Sequence, residues 1–541
     1  MKNLISISML SLFLLPAAAT AQECQDFAAP RLTVVISDLH LGQGKTGDGW
    51  SPYDDFRWSK ALAGLLGYVG TRSQDQADLV VAGDLLELWQ HPGVVCAGEG
   101  NDFGCTPAEM EAIARHVVQA HSADLEELGR FASRGRNRVF VVPGNHDAAL
   151  MLDNVWKVVH PAFKATEGRV CRAASGTWDS PDGAVVVEHG HQIGIDVNRF
   201  PHWPEVTAQD HGQTRMIKTW GESFVQELYN RVEPAYPLID NVQPMTSALA
   251  GYLKDEGLLK AVPRDLARFI SFNLFDTSLR QKLTLGGPGA KKDEPSWNVK
   301  KARKLGWRLF ADALPDGDPN RNGLRSEPPA AEWQAIRAEL DAMANDASAL
   351  PPEEVEYLCD QIRIQAAVSK DTSRQTCQTE LGGALFQRII PENRRMARYL
   401  DKLREKNHAA MKIYIYGHTH SLRSCWDVKV SNGHLVPVFN TGAFHRLVDK
   451  DMFEALAASQ TPKMTPQEAL KNLPLDRLPA CYPMVVVDYS DGVPKGKLWN
   501  WYMEEGAASG EPIPACDARC ALINESLCST KKGGLCAGLA Q

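Results

Sequence analysis

The chain has no long apolar run beyond its first residues. The stretch Leu4 to Leu15 is about a dozen residues long, whereas roughly 20 are needed to span a bilayer. Lys2 precedes it as the only early charge, and Ala19 to Ala21 follows it as a small-x-small cleavage site. We therefore expect residues 1–21 to be an export signal and the mature chain to be periplasmic or extracellular. A retained anchor is the alternative, but we expect no transmembrane anchor.

Positive charge is also scarce. Once Lys2 is removed, the 58 basic residues of the chain become 57, against 66 acidic ones, which gives a net charge of −9. A nucleic-acid site is marked by a basic patch or stripe. The few short basic runs here are typical of solvated helix faces. We therefore expect no nucleic-acid partner.

The twelve cysteines lack the paired C-x-x-C units of many zinc sites. In an oxidising compartment, an even number of cysteines favours disulfides. Cys96 with Cys105, which closes a short glycine-rich loop, and Cys359 with Cys377 are the best local pairs. The alternative is a zinc cluster in the C-terminal tail, built from Cys516, Cys520, Cys528 and Cys536.

The composition, 44% hydrophobic and 23% charged, is that of a globular protein, and 541 residues exceed one ordinary core. Strand-like segments fill residues 22–200 and 411–503, and no internal repeat is present. Between them, helical periodicity dominates residues 201–410, with helices predicted at Gln213 to Arg231 and Pro391 to His408 among others. We therefore expect an α/β fold with a large, mainly helical insertion and a Cys-rich tail over residues 504–541.

Five groups of metal-ligand residues follow strand-like apolar runs. The groups are Asp38-Leu39-His40, Gly83-Asp84, Gly144-Asn145-His146-Asp147, His189-Gly190-His191 and Gly417-His418-Thr419-His420. The runs before them are Leu32 to Ile36, Leu79 to Val81, Val139 to Val142, Ala184 to Val187 and Ile413 to Tyr416. Because each group begins where a buried strand is predicted to end, we expect all five at one sheet edge.

The residue types in these groups indicate a two-metal hydrolytic site. Asp38 and His40 are two residues apart, so an extended backbone aims both side chains the same way. The Asp84 carboxylate can bridge two cations, since each oxygen can bind one. Asn145 offers a neutral amide oxygen. The set contains imidazoles, carboxylates and an amide but no thiolate, which suits two divalent ions of Mn, Fe or Zn.

The ordered series resembles the calcineurin-like metallophosphoesterase superfamily, whose pattern D-x-H, G-D, G-N-H-D/E, H, G-H-x-H is matched at every position. The resemblance covers about residues 32–200 and 411–503. It implies a β-sandwich flanked by helices. It also implies a metal-dependent hydrolase that uses metal-activated hydroxide on a phosphomonoester, phosphodiester or pyrophosphate. The substrate would be a phosphorylated small molecule or a lipid headgroup.

Individual roles also follow from the resemblance. The first metal would bind Asp38, His40, Asp84 and His420. The second would share one ligand with it and bind Asp84, Asn145, His189 and His418. His146 would be the catalytic histidine, with Asp147 as its orienting partner. His191 would contact the substrate or replace His189 as a ligand.

Two shorter runs, Ser37 to Gly42 and Gly83 to Trp89, are most similar to the branch that contains the bacterial UDP-2,3-diacylglucosamine pyrophosphatases. Those enzymes carry Arg where His146 stands and lack the long insertion. We therefore expect a relation to this branch but do not infer the same substrate. Trp89, like other tryptophans near the motifs, either stacks on a substrate or fills the core.

Two further questions stay open at the level of sequence. A non-catalytic binding protein on the same scaffold is the alternative function, although such a protein would be expected to have lost ligands and none is missing. The insertion leaves the chain after His189 and returns before the strand that leads to His418. We therefore expect it to cap the site, with packing at the side as the alternative.

Overall fold

The computed structural model describes most of the chain outside residues 244–391. The described residues are 24–27, 31–47, 49–91, 96–97, 103–193, 198–219, 221–222, 225–230, 233–243, 392–489 and 491–520. The predicted export signal, the Cys359–Cys377 pair and most of the predicted insertion lie outside these residues.

Strands in the described residues are short, and the five that precede the predicted ligand groups are almost fully buried. They are β1 Leu32–Ile36, β2 Lys45–Thr46, β3 Gly49–Trp50, β4 Ala77–Ala82, β5 Arg138–Val142, β6 Val170–Arg172, β7 Thr177–Asp179, β8 Val185–Glu188, β9 Thr207–Asp210, β10 Gln213–Met216, β11 Val242–Gln243, β12 Ile413–Tyr416, β13 Arg423–Lys429, β14 Leu435–Asn440, β15 Val448–Asp449, β16 Cys481–Asp488, β17 Lys495–Tyr502 and β18 Glu511–Pro514.

Seven α-helices accompany these strands within the described part of the chain. They are α1 Ser59–Ser73, α2 Pro107–Ala120, α3 Ser122–Ser133, α4 Asp153–Val159, α5 Glu392–Lys406, α6 Lys450–Ser459 and α7 Pro466–Asn472. Single turns of other helix types lie between them, including a π-helical turn at Val225–Tyr229. Of the helices described, none combines the length and apolar character needed to cross a membrane.

The strands form two large sheets. The first has seven strands in the order β18-β17-β16-β1-β4-β5-β6, and β1, β4, β5 and β6 run parallel. The second has five strands in the order β13-β14-β12-β8-β7, with β8, β12 and β14 parallel. Parallel strands end at the same sheet edge, so each sheet presents several strand ends together.

The two sheets pack face to face, and helices cover their outer faces. Val80 of the first sheet and Val187 of the second belong to one buried cluster, which is the core between the sheets. Val81 points the other way and packs with helices α1 to α3. Leu400 of α5 packs with Tyr414 on the outer face of the second sheet. The predicted α/β sandwich flanked by helices is confirmed.

Part of the predicted insertion has a different structure from the one expected. The helix predicted at Gln213 to Arg231 is wrong in its first part, because Gln213–Met216 pairs with Thr207–Asp210 as an antiparallel hairpin, whereas Val225–Tyr229 is a π-helical turn. His211 and Gly212, with φ of 46° and 82°, make the turn between these strands. The helix predicted at Pro391 to His408 is confirmed as α5, and it packs on the second sheet.

The tail begins as part of the first sheet, because β18 pairs with β17 at the sheet edge. Cys481 is disulfide-bonded to Cys520, and Cys516 is also disulfide-bonded. A zinc cluster of the four tail cysteines is therefore wrong, since thiolates used in disulfides cannot bind zinc. The predicted Cys96–Cys105 disulfide is confirmed, and Cys24–Cys171 ties the chain start to β6.

A buried histidine links the loop before α1 to the junction of α2 and α3. His121 lies 2.8 Å from Asp54 Oδ2 through Nε2 and 3.0 Å from Asp124 Oδ2 through Nδ1. Burial alone would lower the pKa of His121, but the hydrogen bonds with Asp124 and Asp54 raise it to about 9. The imidazolium balances two carboxylates and stabilises the fold.

This pair of contacts makes stability depend on pH. The stabilisation is complete below the ordinary His121 pKa of 6.5 and is lost as the pH rises through about 9. At pH 6, His121→Gln should lower the free energy of unfolding by on the order of 3 kcal/mol, and by much less at pH 10. Denaturant unfolding across this range measures the difference. His116→Gln, at an exposed position of α2, is the control, and a pH-independent difference for His121→Gln would contradict this account.

Candidate active site

The ends of five parallel strands bring the predicted site residues together. Asp38 follows β1, Asp84 follows β4 and Asn145 follows β5, all in the first sheet. His189 follows β8 and His418 follows β12 in the second sheet. Since these strand ends lie at the same edge of the sandwich, residues from distant parts of the chain meet in one cleft.

One group of possible ligands consists of Asp38, His40 and His420. Asp38 Oδ1 is 3.3 Å from His420 Nε2 and 4.0 Å from His40 Nε2. The two Nε2 atoms are 3.2 Å apart. Three donor atoms therefore converge on one point, as the ligands of a single cation do.

A second group consists of Asp84, His189 and His418. His189 Nε2 is 3.0 Å from Asp84 Oδ2 and 2.9 Å from Asn145 Oδ1. Asp84 Oδ2 is also 3.8 Å from His40 Nε2 of the first group. Asp84 thus lies between the two groups, in the position that a bridging carboxylate requires.

The donor atoms fit divalent cations. Asp38 is fully buried, and its Oδ1 has no hydrogen-bond partner within the described residues. A buried carboxylate oxygen without a partner is costly, and a cation at this point would satisfy it. The nitrogen and oxygen donors, without a thiolate, suit Mn, Fe or Zn. All seven predicted ligands lie in or beside the two groups.

Two glycines let the ligand loops approach one another. Gly83 has φ of 90°, and a Cβ there would lie 2.1 Å from His189 Nδ1. A Cβ on Gly144 would lie 2.2 Å from Asp84 Oδ1. Any other residue at either position would push one ligand loop away from the other.

His146 is held by Glu87, which sequence reasoning quoted in a motif but did not assign to the site. His146 Nδ1 is 2.5 Å from Glu87 Oε2, and the same oxygen is 3.1 Å from His40 Nδ1. Burial alone would lower the pKa of His146, but the charges of Glu87 and Asp84 raise it to about 9. Burial alone would raise the pKa of Glu87, but His146 and His40 bring it below its usual value.

Asp147, the expected orienting partner of His146, contacts the backbone of the neighbouring loops. Its carboxylate accepts hydrogen bonds from the backbone N–H groups of Leu85, Leu86 and Gly144 at 2.8, 3.2 and 2.6 Å. These bonds tie the loop after β4 to the loop after β5. The signal for Glu87 was present, since it is the one acidic residue in an otherwise apolar run after Asp84.

His191 lies beside the second group but is not a member of it. Its ring packs perpendicular to Trp203, with ring centroids 4.4 Å apart, and it also contacts Phe200. His191 is almost fully buried, between these aromatic rings and the rings of His189 and His418. The structure places His189, and not His191, among the possible ligands.

A cavity opens over the two groups. Trp89 lines it and stacks on His146, with ring centroids 3.9 Å apart and planes inclined by 29°. Val225, Tyr229 and Asp240, from the start of the predicted insertion, line the cavity as well. The cavity lining therefore combines polar ligand groups with residues of the predicted insertion.

A comparison with models of known protein families identifies the type of domain that carries this site. The family model of the calcineurin-like phosphoesterases matches residues 32–265. This part of the chain is a calcineurin-like phosphoesterase domain. The match begins at β1 and ends before His418 and His420, which the pairing of β12 with β8 adds to the same cleft. No curated protein matches the chain significantly.

The match confirms the resemblance found in the sequence, and the matched family is one of metal-dependent phosphoesterases. The calcineurin-like phosphoesterase domain also accounts for clustered histidines and aspartates at the strand ends. The closer likeness to the pyrophosphatase branch stays a prediction.

Glu87 generates the first prediction about the site. Its Oε2 contacts two histidines, and its Oε1 accepts the N–H groups of Trp89 and Gln90 at 2.7 and 3.0 Å. In Glu87→Gln, the amide nitrogen would replace one of these two acceptor oxygens. It would then face either the two histidines or the two backbone N–H groups without accepting a hydrogen bond from them. We expect metal affinity or kcat to fall by about 10–100-fold. Metal titration and steady-state kinetics measure the two effects.

Glu109→Gln is the matched control. Glu109 also accepts backbone N–H groups, in the capping box of α2, but it lies outside the cavity lining. Its substitution should lower stability and leave metal affinity and kcat near their wild-type values. A Glu87→Gln protein that behaves like Glu109→Gln would show that Glu87 does not support the site.

Proposed function

We propose that the chain is an exported phosphoesterase with two divalent cations, which hydrolyses a phosphomonoester, phosphodiester or pyrophosphate. The observation that carries this proposal is the position of Asp84 between two groups of nitrogen and oxygen donors. Its Oδ2 is 3.0 Å from a nitrogen of one group and 3.8 Å from a nitrogen of the other. A carboxylate in that position suits a pair of cations better than one.

The residues of the two groups would hold the cations. The first would be bound by Asp38, His40, Asp84 and His420, and the second by Asp84, Asn145, His189 and His418. Two such cations, when bound, neutralise phosphoryl oxygens and lower the pKa of a water nucleophile. Mn, Fe and Zn all suit this donor set.

His146 would act on the substrate from the cavity wall. Glu87 holds Nδ1, which leaves Nε2 as the ring nitrogen that can hold or move a proton. In the protonated form, His146 would stabilise the charge that develops on the phosphoryl group or protonate the leaving oxygen. Asp147 would act indirectly, by holding together the loops that carry Asp84 and His146.

The start of the insertion supports a role in substrate choice. Tyr229 and Asp240 line the same cavity as the ligand groups, and Tyr229 Oη donates to Asp240 Oδ1 at 2.6 Å. A phosphorylated small molecule or a lipid headgroup would contact this wall while its phosphate lies at the metals. Residues 244–391, which complete the expected cap, lie outside the described residues.

The disulfides support the proposal of export. Three described pairs are Cys24–Cys171, Cys96–Cys105 and Cys481–Cys520. Disulfides form and persist in oxidising compartments, and they are rare in the cytosol. This agrees with the signal expected at residues 1–21 and with a periplasmic or extracellular location.

Two substitutions separate metal binding from proton transfer. Asp84→Asn should lower metal content and abolish hydrolysis together, because it weakens a ligand that both groups share. His146→Ala should keep both metals and lower kcat by about 10²–10⁴-fold. The backbone N–H of residue 146, which donates to Asp84 Oδ1 at 2.9 Å, is retained in that variant. Metal analysis beside a phosphodiester assay measures both.

The control is Asp153→Asn. Asp153 is an exposed carboxylate paired with Arg172 Nη2 at 2.8 Å, and its substitution should change neither property. An Asp84→Asn protein that binds two metals and keeps full activity would contradict the assignment of the bridging ligand.

A further inference from the structure

His445 is a buried histidine that the proposed chemistry does not use. It is 0% exposed, and neither ring nitrogen has a hydrogen-bond partner among the described residues. Leaving a buried polar atom unpaired costs about 1–3 kcal/mol. An apolar side chain of similar size would avoid that cost, so this position gains something specific from an imidazole.

Two of the expected ligand histidines have an acceptor for the second ring nitrogen, whereas His420 has none among the described residues. A histidine that binds metal through one nitrogen usually donates its other N–H to a protein acceptor, which fixes its ring. His40 Nδ1 has Glu87 Oε2 at 3.1 Å, and His189 Nδ1 has the carbonyl oxygen of Ala82 at 2.9 Å. His420 Nδ1 is buried and has no hydrogen-bond partner in the described part of the chain.

His445 lies beside the His420 ring. The ring centroids of His420 and His445 are 5.4 Å apart, and the planes are inclined by 83°. His420 Nε2 faces Asp38 and His40, so Nδ1 is the remote nitrogen. Across this separation, a small rotation of either ring or one bridging water can join the two imidazoles.

The backbone holds His445 in this place. The N–H of Phe444 donates to the carbonyl oxygen of Ser37 at 2.9 Å, and Ser37 Oγ is 2.6 Å from Thr441 Oγ1. The loop after β14 is thereby fixed to the loop that carries Asp38. His445 is positioned relative to the first ligand group by the same contacts that position Asp38.

We propose that His445 is a positioning residue for His420, accepting the Nδ1 proton of that ligand directly or through one water. A His420 that binds metal through Nε2 carries its proton on Nδ1, and a neutral His445 offers one unprotonated nitrogen as the acceptor. The inference rests on the proposed function, since it assigns His420 as a ligand. It adds a residue that lies outside the five ligand groups of this sequence.

The test measures metal affinity in the absence of substrate. Metal-free full-length protein is titrated with Mn²⁺ against a fluorescent chelator to obtain both dissociation constants. In His445→Phe, one of the two binding steps should weaken by about 10–100-fold and the other by much less. His445→Asn, whose amide oxygen can accept the proton, should recover most of the loss. His445→Met, a second variant without an acceptor, repeats the test if His445→Phe folds poorly.

Phe444→Leu is the matched control. Phe444 is also fully buried and packs on Tyr482. It should lower the melting temperature and leave both Mn²⁺ constants unchanged, which separates positioning from general destabilisation. Wild-type Mn²⁺ constants in His445→Phe or His445→Met, or an equal shift in Phe444→Leu, would overturn the inference alone. A wild-type chain that binds no Mn²⁺ would overturn the proposed function and the inference with it.

Discussion

The site depends on the parallel pairing of β8 with β12. In this pairing Val185, Val186 and Val187 lie opposite Ile413, Tyr414 and Ile415. The two strands are far apart in the chain, and yet their register sets where His418 and His420 emerge relative to His189. A shift by one residue would turn every side chain of β12 to the opposite face. The buried Val and Ile side chains between the sheets exclude that shift. The fixed register therefore determines where the ligand residues of the site lie.

The ligand residues that this rigid frame positions have strained backbone conformations. Five ligand residues have left-handed backbone angles: Asp38, His40, Asp84, His418 and His420, with φ between 49° and 69°. Such conformations are uncommon for residues with a side chain, and they persist where surrounding contacts impose them. Here the contacts are visible, since the N–H of Asp38 donates to the carbonyl of Gly83 and that of His40 to the carbonyl of Asp84, both at 3.0 Å. The loops that carry the ligands therefore hold one another in place.

The parts of the structure that sequence predicted well are those with a strong local signal. The apolar, β-branched runs predicted the central strands to within about three residues at each end, and the ligand motifs at their ends are unusual enough to define the cleft. Glu87 and His445 were missed as site residues because each makes its contacts through tertiary structure. The hairpin at Thr207–Met216 was missed because two turn residues, His211 and Gly212, outweigh the helical pattern around them. The Cys481–Cys520 bond could not be predicted, since cysteine spacing does not determine connectivity.

The central claim is that two cations share Asp84, and a metal titration of the wild-type chain tests it most directly. Metal-free protein would receive Mn²⁺ in increasing molar equivalents while hydrolysis of an aryl phosphodiester is followed, with bound metal measured at each step. The account predicts that activity rises to a plateau when two equivalents are bound, with little activity at one. Full activity with a single bound cation, or with none, would contradict it.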